Sequence, residues 1–235
     1  MSKQIEIVLS PLLLPLYDLR GKVVVVIDIL RATSTICAAL HNGARSVIPV
    51  ITVEEAMSYS NKNYLIAGER EGSKADGFDF GNSPLEYSPE VVSDRDIVLT
   101  TTNGTKCIMA STDAAEILIG SFFNISVLAD YLISQSRDVI LFCSGWKNKV
   151  NLEDTAFAGA LAEKLTSTFT SDCDSCELAI DLYRQSLPDI VSYLSKASHA
   201  KRFDRLGNHS DLDLCLSLDL HPVVVSYQGD RLIAV

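Results

Sequence analysis

Residues 22–30 read KVVVVIDIL. An unbroken run of β-branched side chains leaves no polar face for water. It suits a strand covered on both sides, as in the middle of a sheet packed between helices. ATSTICAALHNGA (32–44) then reads as a short helix that stops near Gly43. The alternation recurs downstream: strand RSVIPV, helix TVEEAMSYSN and strand YLIAG. Strand DIVLT (96–100), helix GTKCIMAS, strand AEILIG, helix ISVLADYLISQ and strand DVILFC (138–143) continue it. Regular alternation of this kind predicts an α/β fold, a layered α/β/α arrangement with a largely parallel or mixed sheet.

NLEDTAFAGALAEKL (151–165) is a helix with Asn151 as N-cap and two acids in its first turn. Beyond residue 172 the pattern changes. CELAIDLYRQS, PDIVSYLSKAS and SDLDLCLSLD read as helices, and VVVSYQGDRLIAV (223–235) as a hairpin around Gly229–Asp230. The expectation is therefore a helical segment near the C-terminus that ends in a short hairpin. Repeats, low-complexity tracts and linkers are absent. Residues 1–235 are expected to form a single domain, or two closely packed α/β lobes.

The formal net charge of -10 disfavours nucleic acid and anionic membrane surfaces as partners. An anionic ligand would need a local cluster of Arg, backbone N–H groups or a metal ion. The N-terminal apolar stretch is broken by Pro11 and Pro15 and reads neither as a secretory leader nor as a span. Cys37, Cys107, Cys143 and Cys215 lie in apolar or small-residue surroundings and read as buried, reduced thiols. Cys173 and Cys176 form a single C-x-x-C without a second pair at zinc spacing, so it reads as incidental. A cytoplasmic location is expected, and a homo-oligomer is compatible with the sequence.

One segment breaks the rhythm. EREGSKADGFDFGNSPLEYSP (69–89) holds three glycines, two prolines and seven charged residues between two strands. Loops of this length in compact domains are ordered for function or are disordered. Phe78, Phe80 and Tyr87 supply apolar anchors, which favours an ordered functional loop.

Several strands end in similar chemistry. KVVVVIDIL delivers Asp28, then Arg31, Thr33 and Ser34. YLIAG leads to Glu69 and Arg70, and DIVLT to Thr101, Thr102, Asn103 and Gly104. DVILFC leads to Ser144, with Glu153 and Asp154 soon after. In a parallel α/β sheet the strand C-termini share one edge, where ligands bind. Asp28, Glu69, Glu153 and Asp154 are hard oxygen donors of the kind Mg²⁺ prefers. Arg31 and Arg70 can fork onto phosphate, sulfonate or carboxylate. TTTNGT (100–105) reads as an anion-binding turn at a helix start. Acids for a metal beside Arg for an anion point to phosphoryl transfer or phosphate-ester hydrolysis.

Other machinery is excluded. There is no G-x-x-x-x-G-K-[ST], no G-x-G-x-x-G after the first strand and no G-x-S-x-G elbow. Asp28-Ile29-Leu30 lacks the second acid of an Asp-x-Asp aspartyl-phosphate motif. The four histidines show no zinc spacing. His199 and His209 flank a basic stretch, AKRFDRLGN, and read as helix-surface residues. Cys143 reads as a buried thiol, not a nucleophile.

Taken together, VVVVIDILRATSTI, GERE with GFDFGNSPLEY, TTTNGT, LEDTAFAGAL and SHAKRFDRLGNHSDLDLCLSLD resemble the 2-phosphosulfolactate phosphatase family. The matches run in order from about residue 23 to 219. One departure is Glu71, where a small residue is expected. The resemblance implies an α/β hydrolase that needs Mg²⁺ and converts 2-phospho-3-sulfolactate to 3-sulfolactate and phosphate, a step of coenzyme M biosynthesis in methanogens. The substrate partner is then a small phosphorylated sulfonate. Asp28, Arg31, Glu69, Arg70 and Asn103 become the catalytic candidates. Thr33, Ser34, Asn82, Ser83, Thr101, Thr102, Gly104 and Ser144 become the substrate-binding candidates. Asp28, Glu69, Glu153 and Asp154 become the metal candidates. Two alternatives stay open: a phosphatase for another small phosphorylated 2-hydroxy acid, and a non-catalytic binder of sulfonate or phosphate.

Overall fold

The computed structural model describes residues 3–60, 62–70, 72–201 and 209–235. Glu71, the stretch 202–208 of the basic AKRFDRLGN segment and the side chain of His209 lie outside the described residues.

The strands are β1 (Lys3–Val8), β2 (Val23–Ile27), β3 (Ser46–Val50), β4 (Leu65–Arg70), β5 (Ser73–Lys74) and β6 (Asp96–Thr100). They continue with β7 (Glu116–Gly120), β8 (Val139–Cys143), β9 (Phe169–Thr170), β10 (Val225–Gln228) and β11 (Arg231–Ala234). The helices are α1 (Ala32–His41), α2 (Val53–Met57), α3 (Pro89–Val92), α4 (Gly104–Ala110) and α5 (Ile125–Ser134). After them come α6 (Leu152–Leu165), α7 (Asp174–Ser186), α8 (Ile190–Ser195) and α9 (His209–Cys215). The layered α/β arrangement expected from the sequence is the one observed. Among the described residues, no helix is long and apolar enough to cross a membrane.

β2 behaves as its composition demands. All five of its residues are buried. Val23, Val25 and Ile27 join a core with Leu128, Phe157 and Leu161 of α5 and α6. Val24 and Val26 join a second core with Ile36 and Leu40 of α1 and with Ile108 of α4. Successive side chains of a strand point to opposite faces, so one run of valines feeds both layers. Each such side chain removed from water contributes about 1.5–3 kcal/mol.

The sheet order is β5-β4-β6-β3-β11-β10-β7-β2-β8-β1-β9. β4, β6 and β3 form one parallel block, and β7, β2, β8, β1 and β9 form another. The C-terminal hairpin, β10 and β11, turns at Gly229–Asp230 as expected and is inserted between the two blocks. Three successive antiparallel pairings reverse the strand direction, so the blocks run opposite ways. Hence the strand C-termini do not share one parallel edge, which corrects the sequence-based argument for where they meet. They meet through helices instead. α1 follows β2, α4 follows β6, and the two helix starts touch. A Cβ on Gly104 would lie 2.6 Å from the Cβ of Ala32, so only glycine allows this approach.

One further difference lies near the N-terminus. The N-terminal KQIEIV forms β1, which pairs with β8 and β9; its half-buried, partly polar pattern gives a weak strand signal. The 69–89 segment is ordered where described: Phe78 and Tyr87 are buried, and Ala67 bridges to Phe80.

Candidate active site

The end of β2 is fixed from both sides. The Asp28 N–H donates to Thr33 Oγ1 at 3.2 Å, and the Thr33 N–H donates to the Asp28 carbonyl at 2.9 Å. Ser34 Oγ donates to the Ile29 carbonyl and contacts Ser121 Oγ at 3.0 Å. Asp154 accepts from the Ile29 N–H, the Gly145 N–H and the Asn151 amide, all at 2.9–3.0 Å. This carboxylate therefore ties the exit of β2 to the exit of β8. Burial, with Asp28 and Glu153 nearby, pushes it well above its ordinary range. Asn151 occupies the N-cap position of α6, but its side chain serves Glu153 and Asp154 and makes no cap bond.

One cavity gathers residues from distant segments. Asp28, Arg31, Glu69, Asn82, Thr101, Thr102 and Asn103 all line it, as the sequence reading expected of them collectively. Leu30, Gly72, Trp146 and His199 complete its wall. Asp28 is buried, and its carboxyl packs against Gly104, where an added Cβ would lie 2.9 Å from Oδ2. Burial pushes Asp28 up to about 6; His199 pulls it down, while Glu69 and Glu153 push it further up.

Glu69 is held differently. Burial acts to raise it, but hydrogen bonds outweigh this and keep it below its ordinary value. Its Oε1 accepts from the Thr102 N–H at 2.7 Å and the Thr102 hydroxyl at 2.6 Å, and its Oε2 from the Gly72 N–H at 2.6 Å. The threonines of TTTNGT are thus engaged within the protein. Thr100 accepts from Arg70 at 2.8 Å, and Thr101 and Thr105 bond each other reciprocally at 3.2 Å to close the first turn of α4. Thr102 steadies Glu69, and Asn103 faces the cavity.

Other candidates sit beside this cavity. Arg70 donates to the carbonyls of Glu69 and Ile51 and lines a separate recess with Lys106. Ser144 is buried, its N–H bonded to the Ile27 carbonyl, and it lines another recess. Ser83 donates to Asp211 at 2.6 Å. Glu153, without solvent exposure, lines a neighbouring cleft.

Three site residues escaped the sequence reading. His199, expected on a helix surface, stands in the cavity wall: Trp146 stacks on it at 5.6 Å and 11°, and its Nδ1 lies 2.8 Å from Glu153 Oε1. Trp146 follows β8 closely, and position alone could have flagged it. Asp211 pairs with the Arg31 guanidinium. Its signal was an acid sharing the buried stripe of α9 with Leu212 and Cys215.

The donors fit a hard cation. Asp28 and the Asn82 side-chain oxygen belong to residues of the cavity wall, and that Asn82 Oδ1 is buried with no hydrogen-bond partner. Glu153 Oε2 is also buried and unpartnered. Among the described residues, no group of three His, Cys, Asp or Glu side chains is placed to hold a metal. Mg²⁺ commonly takes one or two carboxylates, with waters and substrate phosphate completing its shell, so this sparse donor set is of the expected kind.

A sequence profile described as 2-phosphosulpholactate phosphatase matches residues 8–230. A probable 2-phosphosulfolactate phosphatase of Caldanaerobacter subterraneus subsp. tengcongensis is 41% identical over 215 residues, 88% of each chain. A probable 2-phosphosulfolactate phosphatase of Thermotoga maritima is 42% identical over 211 residues, 89% of this chain and 91% of its own. The Clostridium novyi protein of the same description is 35% identical over 232 residues, 97% and 99%.

Proposed function

The chain belongs to the 2-phosphosulfolactate phosphatase family, and on that premise we propose that it hydrolyses 2-phospho-3-sulfolactate to 3-sulfolactate and phosphate with Mg²⁺ as cofactor. The observation that supports this most is the meeting of Asp28, Arg31, Glu69 and Asn103 in one cavity wall.

In this reading Arg31 and Asn103 bind the anionic groups of the substrate. A guanidinium forks onto phosphate or sulfonate oxygens with charge-assisted bonds. Thr102 and Gly72 hold Glu69 ionised, which keeps its charge beside the site. Asp28, Asn82 and Glu153 are the residues that would hold Mg²⁺. Bound there, the ion supplies charge neutralisation to the phosphate. Trp146 and His199 close one side of the cavity and limit water. Asp154, Thr33 and Ser34 fix the backbone on which Asp28 and Arg31 stand.

Hydrolysis forms one P–O bond from water and breaks the ester P–O bond. The ester oxygen departs with that electron pair and takes a proton, while the water gives one up. In this reading Asp28 either attacks phosphorus itself or orients the water. A trapped aspartyl phosphate and retained configuration at a chiral, isotope-labelled phosphorus would select the first route, and inverted configuration the second. Free thiols at all six cysteines fit a reducing compartment, and on that basis we place the enzyme in the cytoplasm.

A panel of phosphate esters tests the substrate. The sulfonated ester should be hydrolysed fastest; equal rates for phospholactate or phosphoglycolate would reject the named substrate.

A further inference from the structure

We propose that Asp211 is a positioning residue for the reaction, holding the Arg31 guanidinium at the angle at which it meets the substrate's anionic group. This rests on reading the cavity as an anion site. Asp211 comes from α9, 180 positions after Arg31, and is absent from the cavity wall. Both side chains are buried, with relative exposures of 6% for Arg31 and 4% for Asp211.

Three bonds define the arrangement. Arg31 Nη1 donates to Asp211 Oδ2 in a tight ion pair. Arg31 Nη2 donates to the Gly72 carbonyl at 3.3 Å. Ser83 Oγ donates to Asp211 Oδ1 at 2.6 Å. Gly72 and Ser83 belong to the long loop between β4 and β6, and Ser83 adjoins Asn82 of the cavity wall. Asp211 therefore joins three parts of the site: the exit of β2, the loop and the C-terminal helix.

The physical need is clear. A free arginine side chain has many rotamers, and burying its charge is costly without a partner. A carboxylate that grips one edge of the planar guanidinium answers both problems and sets the plane's orientation. Ser83 in turn fixes the carboxylate, so the loop and the arginine move together. A buried ion pair whose only role was to support the fold would show no dependence on what Arg31 does for the substrate.

Steady-state kinetics and calorimetric binding of inorganic phosphate separate the two roles. Asp211→Asn should lower kcat/KM about ten- to hundredfold and weaken phosphate binding in parallel, the range expected when a charged hydrogen bond is lost. Asp211→Glu should recover part of the loss. In an Arg31→Lys background, Asp211→Asn should have no further effect, because its action passes through Arg31. Multiplying losses, or unchanged kinetics and phosphate affinity in a folded Asp211→Asn protein with lowered Tm, would overturn the proposal. If Asp211→Asn does not fold, Ser83→Ala decides: a several-fold loss of phosphate affinity supports positioning, and wild-type affinity refutes it. If the wild-type protein binds phosphate yet hydrolyses no ester, the hydrolase reading fails. The phosphate affinities of the same variants still decide for or against Asp211.

Discussion

Nδ1 of His199 stands 2.8 Å from Oε1 of Glu153, a carboxylate sealed from solvent, across 46 positions of sequence. The contact sets the imidazole ring that Trp146 stacks upon, and so fixes one wall of the cavity. Glu153→Gln keeps the shape but replaces a charged acceptor. It should lower kcat/KM for phosphate release by about tenfold or more, with the near-ultraviolet circular dichroism unchanged. Wild-type kinetics in that variant would remove the pair from the working site.

Asp28 carries a conflict between stability and function. Its carboxyl is pushed from an ordinary 3.8 up to about 6, first by burial. Below pH 3.8 both folded and unfolded chains hold the proton, and the burial cost is absent. Between 3.8 and about 6 only the folded chain holds it, so stability falls as pH rises. Above about 6 the full cost applies, about 3 kcal/mol for this rise. Asp28→Asn should therefore abolish activity yet raise Tm at pH 8 in EDTA, while at pH 4 the two proteins should differ little. A lower Tm for the variant at pH 8 would contradict this account of Asp28.

Gly104 is a steric requirement. A Cβ there would lie 2.6 Å from the Ala32 Cβ and 2.9 Å from Asp28 Oδ2. Gly104→Ala should separate α4 from α1, destabilise the fold by about 1–3 kcal/mol and lower kcat. Denaturant unfolding and steady-state kinetics give both readings. A variant as stable and active as the wild type would show that the two helix starts are not tightly joined.

Cys143 is the negative control. It is fully buried at the end of β8, and burial raises its thiol well above the ordinary value, so no thiolate is at hand for attack. Cys143→Ala should keep kcat within about twofold, at a cost in stability for the small void. A folded but inactive variant would make the thiol a nucleophile.

Local sequence carried much of this structure and missed its joints. The valines of β2 announce a doubly covered strand because no polar face interrupts them. Asp28, Arg31, Glu69 and Asn103 were visible as polar residues at strand ends. Their meeting was expected from a shared parallel edge, but it depends on the contact of α1 with α4, since the inserted hairpin reverses the sheet. TTTNGT was legible as a functional turn, yet its hydroxyls hold Arg70, Glu69 and the first turn of α4. His199 and Asp211 stayed hidden because their partners are 46 and 180 positions away. No local periodicity encodes such pairs.

If the cavity walled by Asp28 and Arg31 cleaves a sulfonated phosphate ester, release of phosphate should depend on both side chains. The direct measurement is phosphate release from 2-phospho-3-sulfolactate by wild-type, Asp28→Asn and Arg31→Lys proteins, each with Mg²⁺ and with EDTA. The wild type should release phosphate rapidly with Mg²⁺ and lose this in EDTA until Mg²⁺ is added back, and both variants should be at least about tenfold slower. Undiminished release by Asp28→Asn, or none by a folded wild-type protein supplied with Mg²⁺, would contradict this role of the cavity.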